Sequence, residues 1–387
     1  MVNIKLPSHI DQLRSSLRRF VDEHMPREEA ARWDKENTFP RDVFDKLSAL
    51  GVMGSTIPEE YGGSGRDILA TLVTIEELSK RSLAVSVPYI MAACYAGMNV
   101  LECGSPRQKA ELLPLVAAGK MLFAYGWTEA DTGADLASVK TKGTIAGDHI
   151  VINGAKRFCS GAEICDYIYA LVRTGDQAAR YENLSVVLIS PKLPGVEIRP
   201  IDSMGMKGAR TTDVTFIDVK VPVEMIVGEA SGINRGWSML TSAGLDVEKL
   251  EVAAIALGIA EAACDDAWDY SQQRTQFGRT ISTFQSLRHQ LADMRTQLHA
   301  ARLVTYHAAH RADADRPDRV ETSMTKLFVT ETARKVVLDA QTILGAYGYV
   351  RDFDLERYVR DVLLMPIIGG SSAVQRNNIA NWLGLAR

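Results

Sequence analysis

The sequence predicts an α+β fold, mainly α-helical, with a β-rich middle segment between two helical ones. From residue 8 to about 120, apolar side chains recur at helical spacing, as in Leu13, Leu17 and Phe20. Short runs rich in β-branched and aromatic residues fill 121–235, and long helical stretches return from Gly236. Because 387 residues suit two or three domains, we predict an N-terminal helical domain (1–120), a middle β-domain (121–235) and a C-terminal helical domain (236–387).

The first domain contains helix-forming segments that are separated by turn signals. Val43, Leu47 and Leu50 keep the helical spacing, and "IPEEYGGSG" then interrupts it with a proline and glycines. These glycines do not follow a strand, so they are not the G-x-G-x-x-G fingerprint of a Rossmann fold. We expect a turn at this place.

The middle domain consists of short candidate strands. Gly, Pro and Asp separate them, which is typical of an antiparallel barrel or sandwich. The runs are "HIVING", "YIYALV", "LSVVLI", "VEIRPI" and "DVTFIDVKV".

The long helix that opens the third domain, "AGLDVEKLEVAAIALG", continues into a segment that is apolar on all sides. A helix without a polar face is normally buried in a core. Its acidic residues Glu248 and Glu251 are therefore candidates for buried functional groups. The alternative is a solvated turn, which is the usual place for a glutamate beside a lysine.

Composition argues against several classes of function. Charged residues make up 24% of the chain and the net charge is −4, so we expect no nucleic-acid-binding surface. The N-terminus lacks an apolar export signal, and no apolar run reaches about 18 residues, so we expect no membrane span. Five scattered cysteines indicate free thiols and a cytoplasmic location. His307 and His310 lack further ligands nearby, so no metal site is predicted.

Several separated segments resemble the acyl-CoA dehydrogenase family, in family order and over nearly the whole chain. The resemblance implies an N-terminal helical domain, a middle antiparallel β-barrel domain and a C-terminal four-helix bundle. It also implies an FAD-dependent enzyme that oxidises acyl thioesters between Cα and Cβ. Such enzymes usually form tetramers and pass electrons to an electron transfer flavoprotein. The segments are "FPRDVFDKLSALGVMGSTIPEEYGG", "YGWTEADTGAD", "VINGAKRFCSGA", "GMKGARTTDVTFIDVKVP", "QQRTQFGRTISTFQ" and "ILGAYGYVRDFDLERYVRD".

The chemistry of this family determines which groups the chain must supply. A proton leaves Cα of the thioester while a hydride passes from Cβ to N5 of the flavin. This step requires a carboxylate base and an oxyanion hole for the thioester carbonyl. A buried base has a raised pKa, which strengthens it as a proton acceptor.

The resemblance assigns flavin contacts to the second and third domains. Thr128 would hydrogen-bond the isoalloxazine, and Phe158 and Ser160 would lie beside it. Arg274 would reach the FAD pyrophosphate across a subunit boundary with its guanidinium fork. The alternatives are a strand-core position for Phe158 and a solvated helix end for Arg274. The other predicted FAD-binding residues are Tyr125, Trp127, Phe284, Gln285, Thr342, Gly345 and Ser371.

Most members of the family carry the catalytic glutamate in the C-terminal loop, where this chain has Gly369. A minority similar to isovaleryl-CoA dehydrogenase carry it on the long helix, at the position of Glu248. We therefore predict that Glu248 is the base and that the backbone N–H of Gly369 belongs to the oxyanion hole. An altered chemistry or an inactive site is the alternative. We also expect a glutamate introduced at Gly369 to restore part of the activity of a Glu248 variant.

Four residues are predicted to bind the substrate. Asp246 would contact the pantetheine arm, and Ala134 replaces a serine that contacts the ligand in the family. Glu251, one helical turn beyond Glu248, has three possible roles. It could recognise a polar or cationic acyl group, raise the pKa of Glu248 by repulsion, or pair with an arginine of a neighbouring helix. Lys249 completes the set.

These features predict an FAD-dependent dehydrogenase for a short, branched or compact acyl-CoA. One alternative is a dehydrogenase for acyl or aminoacyl (prolyl-like) groups on a carrier protein, which the missing serine at Ala134 favours. A second alternative is a flavin-binding partner subunit without chemistry of its own. Gly369 would be the main evidence for that alternative, and Glu248 is the evidence against it.

Overall fold

The computed structural model describes residues 6–314 and 317–385. The N-terminal part is helical, and a π-helical segment, Met91–Met98, connects its fifth and sixth α-helices. The α-helices are Ser8–His24 (α1), Arg27–Glu36 (α2), Arg41–Ser48 (α3), Ile68–Ser79 (α4), Leu83–Ile90 (α5), Asn99–Cys103 (α6) and Pro106–Ala117 (α7).

Helix α5, the π-helical segment and α6 form one continuous helix, Leu83–Cys103. Its mean hydropathy is 1.4, and 94% of its most apolar window is buried inside the fold. This helix is long and apolar enough to cross a membrane. The search of the sequence for uninterrupted apolar runs did not detect it, because polar residues interrupt its apolar stretches. In the structure it packs against α4, α7 and the first strand of the middle domain instead.

The middle domain is a β half-barrel. Its strand order is β1-β4-β2-β3-β7-β6, and β5 also pairs with β4, outside this order. Most neighbours are antiparallel, but β1 runs parallel to β4, which a purely antiparallel barrel would not contain. The strands are Phe123–Gly126 (β1), Lys142–Ala146 (β2), His149–Ser160 (β3), Tyr167–Arg173 (β4), Leu184–Ile189 (β5), Val196–Pro200 (β6) and Thr211–Pro222 (β7).

The C-terminal domain is helical and is centred on one long buried helix, α9. This helix packs against α4, α10 and α11, so it lies where the two helical domains meet. The predicted fold class is therefore confirmed. The elements are Gly236–Leu240 (α8), Ala243–Gln273 (α9), Thr275–Gln276 (β8), Arg279–Thr280 (β9), Gln285–Ala314 (α10), Arg319–Leu344 (α11), Leu355–Val362 (α12) and Ser372–Trp382 (α13).

A network of charges around the buried Glu76 links α9 to α4 and α10; its other members, Lys80, Glu261 and Arg302, are partly exposed. The guanidinium of Arg302 lies 3.0 Å from Glu76 and 2.5 Å from Glu261. Lys80 contacts the same Glu261 carboxylate at 2.8 Å. Removing Arg302 would leave the buried Glu76 carboxylate without the cation that contacts it, which is unfavourable. The position of α9, and of every side chain it carries, is therefore set by charge as well as by apolar packing.

Candidate active site

Glu248 lies in the second turn of α9, on the buried side of the helix. It is 9% exposed, so the alternative of a solvated turn is wrong. Its Oε2 atom has no hydrogen-bond partner in the part of the chain that the structure describes. Burial raises the pKa of this carboxyl to about 7, although the positive charges of Lys326 and Lys249 act in the opposite direction. A free oxygen and a pKa near neutrality are the properties of a general base.

Lys326, on α11, is a functional candidate that the sequence analysis missed. It is fully buried, and its Nζ atom donates a hydrogen bond of 2.7 Å to the carbonyl oxygen of Gly370. Burial lowers the pKa of Lys326 to about 8, while the negative charge of Glu248 counteracts that shift. One feature of the sequence does indicate that Lys326 is buried. Lys326 shares the helical spacing of the apolar residues Val329 and Ala333, which predicts a buried position.

The C-terminal loop brings two left-handed glycines against α9. Gly369 and Gly370 have φ of 60° and 79°, and the Nε2 atom of Gln375 donates to both of their carbonyl oxygens, at 3.0 and 2.9 Å. A Cβ atom on Gly369 would lie 3.1 Å from Val252, one helical turn from Glu248. Within the described residues the N–H of Gly369 has no acceptor. This unused donor fits the predicted part in an oxyanion hole.

Three aromatic rings form a column near Glu248 and Glu251 of α9. Tyr125 stacks on Tyr95 with 3.7 Å between ring centroids and on Trp127 with 4.0 Å. Asn99 donates a 2.7 Å hydrogen bond to the Tyr125 hydroxyl. Burial raises the pKa of Tyr95 and Tyr125, and the charge of Glu248 raises both further. Tyr95 belongs to the π-helical segment, and such segments are frequent at functional sites. Tyr95 is not among the site residues that the sequence predicted.

The loop that follows β1 is anchored by a buried ion pair. Glu129 lies 2.8 Å from the Nζ atom of the fully buried Lys156, and it accepts further hydrogen bonds from Thr141. The carbonyl oxygen of Thr128 accepts from a backbone N–H on β3, so its side chain is held next to that strand. Ala134, at the end of the loop, is exposed.

Phe158 is exposed rather than packed in the strand core, so that alternative is wrong. Its side chain is 56% exposed, and its backbone has a φ of 60°, which an aromatic residue adopts rarely. The β3–β7 register shifts at this point, which marks a bulge. Ser160, two residues on, lies 3.3 Å from the Thr211 hydroxyl. A strained, outward-facing ring of this kind is suited to stacking on a flat ligand.

Arg274, Phe284, Gln285, Thr342 and Gly345 lie near the other end of α9 or α11, away from Glu248. Arg274 follows α9, 26 residues beyond Glu248, so about 40 Å of helix separates the two. It is exposed, with its guanidinium 5.8 Å from the ring centroid of Tyr347. One chain therefore does not bring these residues together. The exposed position of Arg274 fits a solvated helix end as well as a contact across a subunit boundary, so its role at FAD stays a prediction. Phe284 is half-buried near this end of α9, whereas Gln285, Thr342 and Gly345 are exposed.

The residues of one chain fit the ring end of FAD. Thr128, the outward-facing Phe158 and Ser160 share the β3 side of the middle domain. The Nε1 atom of Trp127 is buried and has no partner among the described residues, so a donor remains for a ligand there. The Ser371 hydroxyl caps α13 by accepting from the N–H of Val374 at 3.3 Å, which leaves its O–H free to donate to a ligand.

A cleft of about 1120 Å³ opens next to the start of α9. Its lining includes Asp246 and the arginines Arg66, Arg235 and Arg319. Asp246 accepts a 2.6 Å hydrogen bond from Lys249. Lys249 is buried, with its ammonium 4.9 Å from the ring centroid of Trp382, and it is not a lining residue. Asp246 thus lines the cleft and is held by two cations, Lys249 and, at 3.4 Å, the cleft residue Arg319.

This geometry defines a class of protein. The buried carboxyl of Glu248 has a free oxygen and lies near the buried Lys326, and the loop held by Lys326 carries an unused backbone N–H. The open cleft begins at Asp246, two residues earlier on the same helix. Such an arrangement is suited to an enzyme that takes a proton from the carbon next to a carbonyl group.

The chain belongs to the acyl-CoA dehydrogenase family, whose enzymes are oxidoreductases that act on CH–CH bonds. Models of the family's N-terminal, middle and C-terminal domains match residues 7–120, 124–219 and 234–384. These matches cover nearly all of the chain, so the sequence resemblance is confirmed. The family is typically FAD-dependent.

Two curated relatives illustrate the range of the family. The chain is 37% identical to a 3-(aryl)acrylate reductase of Clostridium sporogenes over 90% of this chain and 92% of that protein. It is 32% identical to CarC, a subunit of the caffeyl-CoA reductase-Etf complex of Acetobacterium woodii, over 96% of this chain and 97% of that protein.

Two solved structures show a similar fold over almost the whole chain. The glutaryl-coenzyme A dehydrogenase glutaryl-CoA complex matches with a TM-score of 0.93 and 31% identity, over 99% of this chain and 97% of that one. The prolyl acyl carrier protein oxidase AnaB matches with a TM-score of 0.91 and 28% identity, over 98% of this chain and all (100%) of that one.

Proposed function

We propose that the protein is an FAD-dependent dehydrogenase that converts a compact acyl-CoA thioester to the 2-enoyl-CoA, with Glu248 as the base. The observation that carries this proposal is the buried Glu248 carboxyl, with one oxygen free and a pKa of about 7. A carboxyl in that state is ionised to a useful fraction near pH 7 and is more basic than a solvated glutamate.

Each residue of the site has a separate task. Glu248 takes the proton from Cα, which becomes more acidic when the thioester carbonyl is polarised. The N–H of Gly369 supplies one of the two donors for that carbonyl oxygen. Lys326 orients the loop through its bond to Gly370, and its positive charge favours the ionised form of Glu248. The column of Tyr95, Tyr125 and Trp127 forms a wall that excludes water and limits the size of the acyl group.

When bound, FAD would accept the hydride that leaves Cβ. Thr128, Phe158 and Ser160 would hold its ring end in this chain, and Arg274 of a neighbouring copy would bind the pyrophosphate. The cleft lined by Arg66, Arg235 and Arg319 would admit the pantetheine arm next to Asp246. A homotetramer is the assembly that this division of FAD contacts favours.

The electron acceptor that we propose is an electron transfer flavoprotein. The likeness to CarC, which is a subunit of a reductase-Etf complex, supports this proposal. Both relatives described above are reductases by name, and the same base could return a proton to Cα in the reverse direction. Reduction of an enoyl or aryl-acrylyl thioester is therefore a variant of the same proposal.

A second candidate function is dehydrogenation of acyl or aminoacyl groups on a carrier protein. Two observations favour it: Ala134 is exposed at the loop position where a serine would contact the ligand, and AnaB is similar over the whole fold. The non-catalytic partner subunit is less well supported, because it leaves the buried, unpartnered carboxyl of Glu248 without a purpose.

The test is an anaerobic titration of the purified protein with a panel of acyl-CoA and acyl-carrier-protein thioesters. We expect yellow protein whose flavin absorbance bleaches with short, branched or otherwise compact acyl groups. An artificial electron acceptor then reports turnover without any partner protein. Bleaching only with carrier-bound groups would favour the second candidate, and protein that lacks flavin or bleaches with no thioester would refute both.

A further inference from the structure

Glu251 is a second buried carboxyl in the site, and the mechanism does not use it. It is 2% exposed, and its Oε2 atom has no hydrogen-bond partner in the described residues. Burial and the charge of Glu248 raise its pKa to about 8, while a hydrogen bond with Cys94 acts in the opposite direction. Buried polar atoms are nearly always paired, so an unpaired carboxyl oxygen next to a catalytic base calls for an explanation.

No cation of residues 6–314 and 317–385 pairs with Glu251. Within the described residues Glu251 forms no ion pair, so the predicted alternative of pairing with an arginine of a neighbouring helix is wrong for that part of the chain. The groups that face it are Cys94 and Tyr95 of the π-helical segment, Tyr125 of β1 and Glu248 on its own helix. All of these groups are neutral or negative.

The charges of the described site therefore leave Glu251 without an ion pair. Lys326 and Lys249 both act on the Glu248 carboxylate, and Asp246 pairs with Lys249 at 2.6 Å and with the half-exposed Arg319 at 3.4 Å. None of these three cations forms an ion pair with Glu251. If Glu248 is ionised as a base, an ionised Glu251 leaves one negative charge without a partner. Glu251 must then either keep its proton or receive a positive charge from outside the chain.

Building on the proposed function, we propose that the acyl group carries a positively charged nitrogen and that Glu251 binds it. The position suits this role, because Glu251 is one helical turn from the base on much the same helix face, within reach of an acyl group whose Cα lies at Glu248. The faces of Tyr95 and Tyr125 add a favourable environment for a cation. The substrate class is an acyl thioester with a protonated or quaternary amine a few carbons beyond Cβ.

The experiment compares two thioesters of equal shape. One is 5-methylhexanoyl-CoA and the other is 4-(dimethylamino)butanoyl-CoA, in which a protonated nitrogen replaces the branch carbon. Binding to the oxidised holoenzyme is measured from the perturbation of the flavin spectrum, so that turnover is not required. We expect the amine to bind about 10- to 100-fold more tightly, as a charge-assisted contact in a buried site provides.

Glu251→Gln is the test variant and Glu248→Gln the matched control, since each removes one carboxyl from the same helix face. We expect Glu251→Gln to bring the affinity ratio of the two thioesters close to one, and Glu248→Gln to keep the preference for the amine. Titration calorimetry in buffers of different ionisation enthalpy gives a second readout. Binding of the amine at pH 7 should release most of one proton from the wild-type protein and none from Glu251→Gln.

The outcomes separate this inference from the proposed function. If both thioesters bind equally and no proton is released, the inference is overturned while the proposed function stands. A 5-hydroxyhexanoyl-CoA that binds as tightly as the amine would show that hydrogen bonding rather than charge is recognised, which also overturns it. If neither matched thioester nor any other acyl-CoA binds, the proposed function fails and the inference falls with it.

Discussion

The Nζ atom of Lys326 lies 2.7 Å from the carbonyl oxygen of Gly370 and close enough to Glu248 for their charges to affect each other's pKa. One buried side chain thereby connects the loop that carries the predicted oxyanion donor with the helix that carries the base. Lys326 thus connects the predicted oxyanion donor, the N–H of Gly369, with the predicted base, Glu248.

Glu248→Gln should leave FAD bound and slow flavin reduction by about three to five powers of ten. An amide nitrogen cannot accept the proton from Cα, while the shape of the side chain is kept. The measurement is rapid-mixing absorbance with an accepted thioester. Glu60→Gln, an exposed carboxyl outside the site, is the control and should bleach normally. Near-normal bleaching of Glu248→Gln would show that another group is the base.

Lys326→Met should move the pH dependence of flavin reduction to higher pH by about one unit or more. In the wild-type protein the rate should rise with pH through about 7, because Glu248 acts when ionised and its pKa is about 7. Removing the nearby positive charge raises that pKa further. Lys335→Met, exposed on the same helix, should leave the profile in place. If flavin reduction became slower while its pH profile stayed unchanged, Lys326 would have only a structural role.

The double variant Glu248→Gln with Gly369→Glu should not recover activity, contrary to the expectation from sequence. Gly369 has a φ of 60°, and a Cβ atom there would lie 3.1 Å from Val252. The backbone strain alone costs about 1–2 kcal/mol. Gly147→Ala has similar φ but no close neighbour, so it isolates the effect of strain on thermal stability. Recovery of fast bleaching would mean that the loop adapts to a side chain.

As the pH rises, the Glu251→Gln variant should lose less of its free energy of unfolding than the wild-type protein. The unfolded-state pKa of Glu251 is about 4.5 and its folded-state pKa about 8, so the folded protein retains the proton. That preference stabilises the fold below pH 4.5 and is lost as the pH rises through about 8. The wild-type protein should therefore lose on the order of 3 kcal/mol more than the variant between pH 5 and 9. Urea unfolding at each pH measures this difference in the free energy of unfolding. The control variant Glu60→Gln should behave like the wild-type protein.

Arg274→Ala should weaken FAD binding and the assembly without unfolding the chain. The side chain is exposed and about 40 Å of helix separates it from Glu248, so its loss leaves the core intact. The ratio of flavin to protein absorbance and the mass in solution report the two effects. Arg199→Ala, exposed on β6, should change neither. Full retention of FAD by Arg274→Ala would contradict a role at the pyrophosphate.

Much of the fold was readable from the sequence because hydrophobic periodicity is local. The apolar character of α9 correctly predicted that Glu248 is buried, and the motifs correctly predicted the family. Contacts between distant segments were not readable in this way. The buried Lys326, the orientation of Lys249 away from the cleft and the place of Tyr95 in the stack depend on how α11, α13 and the π-helical segment pack against α9.

The continuous helix Leu83–Cys103 has a consequence for how the polypeptide is made. It leaves the ribosome well before α9, which later covers part of it, has been synthesised. During that interval a long apolar segment is exposed, and such segments are prone to aggregate. We therefore expect fragments that end before Ala243 to need chaperones or to accumulate in inclusion bodies. Low temperature and co-expressed chaperones should improve the yield of the full-length chain.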